Sequence, residues 1–125
     1  MARSAARPAI SDAAVVTTAT LRAATLLGLS NKVLARIVGL SEASVSRMGA
    51  GAYKLEPGEK PFELAVLFIR LYRALDGLVD GDDAVAQAWL RNQNTALGDA
   101  PLTLIQTVPG LVNTLAYLDA RRALA

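Results

Sequence analysis

The chain has 125 residues, enough for one compact domain or two very small ones. Hydrophobic residues make up 53% and charged residues 19%, which excludes a disordered chain. It has no cysteine and no histidine. That removes disulfides, thiolate zinc sites, cysteine nucleophiles, histidine bases and Ser-His-Asp triads together.

Alanine and leucine supply 44 residues, against 22 for valine, isoleucine and threonine, so the expected fold is all-α. The net charge of +2 is unevenly spread. Residues 1–54 carry a balance of +5 and residues 55–125 a balance of −3. A basic half suits a polyanion, and an acidic half suits a different partner.

In chain order, residues 1–11 read as a mobile arm carrying Arg3 and Arg7, without the apolar run of a secretion signal. Asp12 caps a helix expected to reach Leu27, with Gly28 as its stop; its apolar pattern is not clean. Ser30 caps a short helix to Val38 that Gly39 ends. Ser41 caps the next, which fades at Gly49-Ala50-Gly51, and Pro57-Gly58 marks a turn.

A long helix is expected from Lys60 to Val79, with Pro61 in its first turn. Apolar residues cover all but a narrow strip of Glu59, Glu63, Arg70 and Arg73, so it must be buried on most sides, within the chain or in a dimer. Glu63, Arg70, Arg73 and Asp76 break the apolar stretch from Phe62 to Val79 and argue against a membrane span. After Asp80-Gly81-Asp82-Asp83 comes a helix to about Asn92, with Val85, Ala88, Trp89 and Asn92 on one face. Pro101 opens a short helix to Gln106, and Thr107 caps a last one with Leu111, Val112, Leu115 and Leu118 inward. Arg121 and Arg122 near its end complement the helix dipole.

Residues 33–47 have the layout of a helix-turn-helix. Ala35 is small where two helices must approach. Gly39 can take positive φ in the turn, Leu40 plugs the corner, and Val45 and Met48 face inward. Glu42, Ala43, Ser44 and Arg47 then lie on the outer side of the second helix, where they and the cap Ser41 can reach a major groove. Lys32, Arg36 and Lys54, with Arg3 and Arg7 of the arm, are placed for phosphate contacts.

The acidic half holds a second ordered set: Trp89-Leu90, Asn94, Leu97-Gly98, Pro101-Leu102 and Gly110. By themselves these read equally as a small helical cap, with Trp89 as a core anchor. Their order and spacing resemble the C-terminal domain of the Xre/MbcA/ParS-type antitoxins, which also place an Xre-like helix-turn-helix ahead of it. The resemblance covers nearly the whole chain beyond the arm. It implies an antitoxin that blocks the active site of a RES-domain toxin, an enzyme that consumes NAD or transfers ADP-ribose. It further implies repression of its own operon through operator DNA.

The toxin-binding residues carried over by the resemblance, or lying on its terminal helix, are Trp89, Asn94, Leu97, Gly98, Pro101, Leu102, Gly110, Tyr117, Leu118, Arg121, Arg122 and Ala125. Deleting residues 117–125 is expected to weaken neutralisation and leave the fold intact. The organisation expected is an arm at 1–11, a helix-turn-helix domain at 12–58, a linking helix at 59–80 and a toxin-binding domain at 81–125. A homodimer within a larger cytoplasmic complex is expected, with no catalytic residue, metal or cofactor. The alternative is a plain helix-turn-helix regulator whose C-terminal part only dimerises.

Three weaker signals lead to no site. Residues Gly49 to Lys54 lack the third glycine and the preceding strand of a dinucleotide loop. Asp80, Asp82 and Asp83 are explained by helix capping. Tyr53, Tyr72 and Tyr117 read as packing residues.

Overall fold

The computed structural model describes residues 11–124. These form seven helices and no strand: α1 (Asp12–Leu26), α2 (Asn31–Val38), α3 (Glu42–Gly49), α4 (Lys60–Leu78), α5 (Asp83–Arg91), α6 (Pro101–Leu104) and α7 (Val108–Leu124). The expected all-α fold is the fold observed. No helix among the described residues is long and apolar enough to cross a membrane. The arm arginines Arg3 and Arg7 and the terminal Ala125 lie outside the described residues.

Local chemistry sets the helix ends. Ser11, not Asp12, caps α1: its Oγ accepts from the Ala14 amide at 3.1 Å. Ser30 and Ser41 cap α2 and α3 in the same way, and the Asp82 carboxylate caps α5. α1 closes with Gly28 at φ 68°, the Leu29 amide returning to the Ala24 carbonyl at 2.9 Å.

α4 is the hub. Its Leu64, Ala65, Phe68, Leu71, Ala74 and Leu75 are buried against α1, α2 and α7 in a single apolar core. The chain itself therefore covers most of the apolar surface that, in the sequence, also suggested a dimer. α7 packs on α4 through Leu111, Thr114, Leu115 and Leu118. Val112, expected inward, is 45% exposed. On α5, Ala86 and Leu90 are buried and Trp89 is half-buried, while Val85, Ala88 and Asn92, which the sequence puts on one face with Trp89, are exposed. α6 ends two residues before the expected Gln106.

The unclean pattern of α1 has a physical cause. Thr17 and Thr20 break its apolar stripe, yet both are buried and bonded. The Thr17 hydroxyl accepts from the Leu55 amide at 2.9 Å, which ties the loop after α3 to the first helix. Thr20 donates to its own helix at the Val16 carbonyl, 2.7 Å away.

Thr114 is the contrasting case. Its Oγ1 is buried and makes no hydrogen bond. A buried hydroxyl without a partner keeps its desolvation cost. Thr114→Val keeps the shape and removes that cost, so it should stabilise the fold by about 1 kcal/mol. Urea unfolding would show this as a higher midpoint with an unchanged slope.

Candidate functional sites: the recognition helix and the C-terminal face

α2 and α3 meet at Gly39, which has φ 73° and lies close to Leu64 of α4: a Cβ there would sit 3.5 Å from Leu64 Cδ1. Leu34, Ala35, Ile37 and Val38 of α2 and Val45 and Met48 of α3 are buried in the core, while Leu40 packs at its edge. The inward half of the helix-turn-helix is thereby fixed, and so is the rotation of α3.

That rotation exposes Glu42, Ala43, Ser46 and Arg47. Ser44, expected outside, is half-buried and engaged. Its amide donates to Ser41 Oγ, its Oγ accepts from the Ser41 hydroxyl at 3.0 Å, and Arg47 Nη2 donates to the same oxygen at 3.0 Å. Ser44 thus orients Arg47 rather than facing outward. Ser46, one turn beyond Glu42, holds the outer position that sequence reasoning gave to Ser44. The signal was the i, i+4 spacing from Glu42. Lys32, Arg36, Ser41 and Lys54 are exposed as expected. Among the described residues, none of Lys32, Arg36, Arg47 and Lys54 takes part in an ion pair.

In the C-terminal part the predicted residues divide into builders and surface groups. Asn94 Oδ1 accepts from the Leu97 amide at 3.1 Å, and the Gly98 amide returns to the Asn94 carbonyl at 2.8 Å. Gly98 has φ 92°, a conformation that glycine adopts without strain. Pro101 is buried at the start of α6, with Leu97 and Leu102 half-buried near it in sequence. Gly110 lies where α7 crosses α6, and a Cβ there would fall 1.9 Å from the Leu104 carbonyl oxygen. Leu118 is fully buried. Pro101, Gly110 and Leu118, read from the sequence as toxin contacts, are here parts of the scaffold: two are buried and the third has no room for a side chain.

Trp89, Tyr117 and Arg121 do come together. The Trp89 and Tyr117 rings stack with centroids 6.4 Å apart and planes 18° from parallel. The Arg121 guanidinium lies 5.7 Å from the centre of the Tyr117 ring, and its Nη1 donates to the Tyr117 hydroxyl at 2.8 Å. Arg122 is turned elsewhere, toward Asp119 at 3.8 Å, and Asp119 also faces Arg70 of α4 at 3.7 Å. These exposed contacts at the edge of ion-pair range contribute little to stability. Burial pushes the Tyr72 phenol above its ordinary pKa, with Asp76 and Asp83 adding to the rise and Arg22 opposing it.

Sequence reasoning missed the joint between the two halves. Gln87 Nε2 donates to the Leu26 carbonyl at 2.9 Å, and Arg91 donates to the Leu27 and Gly28 carbonyls at 3.3 and 2.9 Å. These carbonyls lie at the C-terminus of α1, where a helix leaves acceptors unsatisfied and favours a cation. The only sequence signal was a polar pair four residues apart on α5, which does not name its partner.

A helix-turn-helix with an unneutralised basic outer face, fused through one core to a small helical module, defines a DNA-binding type of regulator with a second interaction domain. Family comparison gives both parts. The Antitoxin Xre-like helix-turn-helix domain matches residues 6–70, and the Antitoxin Xre/MbcA/ParS C-terminal toxin-binding domain matches residues 74–123. The chain belongs to the Xre-like helix-turn-helix antitoxin family, whose members are regulators and not enzymes. The two matches meet inside α4, the helix that both halves share. No curated protein matches the chain at a significant level.

Proposed function

We propose that this antitoxin neutralises a RES-domain toxin by occluding its active site, and that it represses its own operon as a dimer. The observation that carries the toxin reading is the match of residues 74–123 to a toxin-binding domain, together with the half-buried Trp89 and Tyr117 and the exposed Arg121 grouped inside it. The RES assignment rests on the resemblance of the whole motif order. It is supported by charge: a cleft that holds the phosphates of NAD is basic, and residues 55–125 are net acidic.

Operator binding is supported by Lys32, Arg36, Arg47 and Lys54, none of them ion-paired among the described residues. Glu42, Ala43, Ser46 and Arg47 form the base-facing row, and Ser41 and Ser44 hold Arg47 in place. One eight-residue recognition helix reads few base pairs, so a useful operator affinity calls for two copies on paired half-sites.

Co-expression with the adjacent reading frame tests this reading. Rescue of growth and co-purification of the two proteins are expected. Persistent toxicity with no complex would overturn the antitoxin assignment for that pair. Arg47→Ala should lower affinity for the operator about tenfold, the scale of one lost base or phosphate contact, and leave neutralisation unchanged. A band-shift titration at fixed salt measures it. Equal affinity for the variant would overturn the proposed α3 contact.

A further inference from the structure

The Trp89–Tyr117 stack forms one wall of an open cleft of about 190 Å³. Leu75, Leu78 and Val79 at the end of α4, Leu118 of α7 and Arg121 complete its lining. The floor is apolar and fixed by the core, since Leu75 and Leu118 are buried. The rim carries the cationic guanidinium of Arg121, which gives one N–H to Tyr117 and enters no ion pair among the described residues.

Resting on the toxin-binding reading above, we propose that this cleft is the anchor pocket for the toxin. It receives one large apolar side chain of the toxin, with a neighbouring toxin carboxylate paired to Arg121. Three features favour this occupant. All seven lining residues fall within residues 74–123, the segment matched as toxin-binding. The volume suits a single large side chain rather than a helix. The components at the cleft mouth, half-buried Trp89 and Tyr117 and exposed Arg121, are of the types that dominate binding energy at interfaces, and here they are pre-ordered by stacking and a 2.8 Å hydrogen bond. Little side-chain entropy remains to be lost on binding. The remaining guanidinium donors then select a carboxylate over a neutral acceptor.

Two variants and one spectroscopic probe test the pocket on the full chain, with the product of the adjacent reading frame as ligand. Val79→Phe fills the cleft from its edge. Arg121→Ala removes the rim charge from an exposed position and leaves the core intact, so it reports even if Val79→Phe folds poorly. Each should weaken toxin binding at least tenfold by calorimetric titration, with the circular dichroism of the Arg121 variant unchanged. Trp89 is the chain's single tryptophan. Grown with 5-fluorotryptophan, the chain gives one fluorine resonance from the cleft wall, and this should shift when unlabelled toxin is added.

Toxin affinity within twofold of the parent for both variants, or an unmoved fluorine resonance in the complex, would overturn the pocket while leaving the antitoxin reading standing. So would loss of self-association by Val79→Phe with toxin affinity retained, which would assign the cleft to a second copy. If the unsubstituted chain fails to bind, the toxin reading itself falls, and the pocket with it.

Discussion

Gly110→Ala should cost about 3 kcal/mol of stability or more, at the upper end of overpacking substitutions. The added Cβ would lie 1.9 Å from the Leu104 carbonyl oxygen, 2.6 Å from the carbonyl carbon and 2.9 Å from Thr107 Oγ1. Two of these atoms are backbone, so no rotamer change relieves the clash. α6 and the first turn of α7 would have to separate, disturbing the Thr107 cap, whose Oγ1 accepts from the Gly110 amide at 3.2 Å. Gly77→Ala is the internal control. It lies in α4, where a Cβ meets nothing nearer than Arg122 Nε at 3.8 Å. There the better helix propensity of alanine should win, by up to about 1 kcal/mol. Opposite signs for the two substitutions in thermal unfolding are the expected result. A Gly110→Ala protein as stable as the parent would contradict the close crossing of α6 and α7.

Deleting residues 117–125 should unfold the C-terminal part rather than merely weaken neutralisation, contrary to what the sequence suggests. The reason is Leu118, fully buried against the core. Truncating a buried leucine to alanine alone costs about 2–5 kcal/mol, and the deletion also removes the Tyr117 wall that stacks on Trp89. Because α4 carries one core for both halves, the loss should spread to the helix-turn-helix. A deletion starting at Arg121 is the informative one. It keeps Leu118 and Tyr117 and removes Arg121 and Arg122, so it should retain the fold and lose affinity for the toxin. Hydrogen exchange of the α4 amides distinguishes the two: unprotected in the first truncation, protected in the second. Full protection of α4 in the shorter chain would show that the final turns of α7 are dispensable to the core.

The same two sites show how far the sequence could be read. The helix-turn-helix was legible because its signals are local: a serine cap, an αL glycine and a short apolar face each act within a few residues. The motif order from Trp89 to Gly110 was legible as a pattern, but the jobs of its members were not. Gly110 and Pro101 look the same in a sequence whether they contact a partner or let two helices cross. For Gly110 the position of the Leu104 carbonyl separates these cases, and for Pro101 its burial at the start of α6 does. Val112 was placed inward by its hydrophobicity, although the rotation of each helix is set by its longest-range contacts. For α5 these include the hold of Gln87 and Arg91 on the α1 carbonyls, more than sixty residues away.

By itself, the sequence determined the all-α class, the ends of most helices, the position of the recognition helix and the absence of histidine and cysteine chemistry, because composition and capping act over one or two turns. Tertiary structure decided which residues are free to bind. It buried Leu118, turned Ser44 back onto Ser41 and Arg47, covered most of the apolar surface of α4 within the chain, and gathered Trp89, Tyr117 and Arg121 around one cleft. Those outcomes depend on how helices distant in sequence rotate and close on a shared core, and packing of that kind is a property of the whole chain.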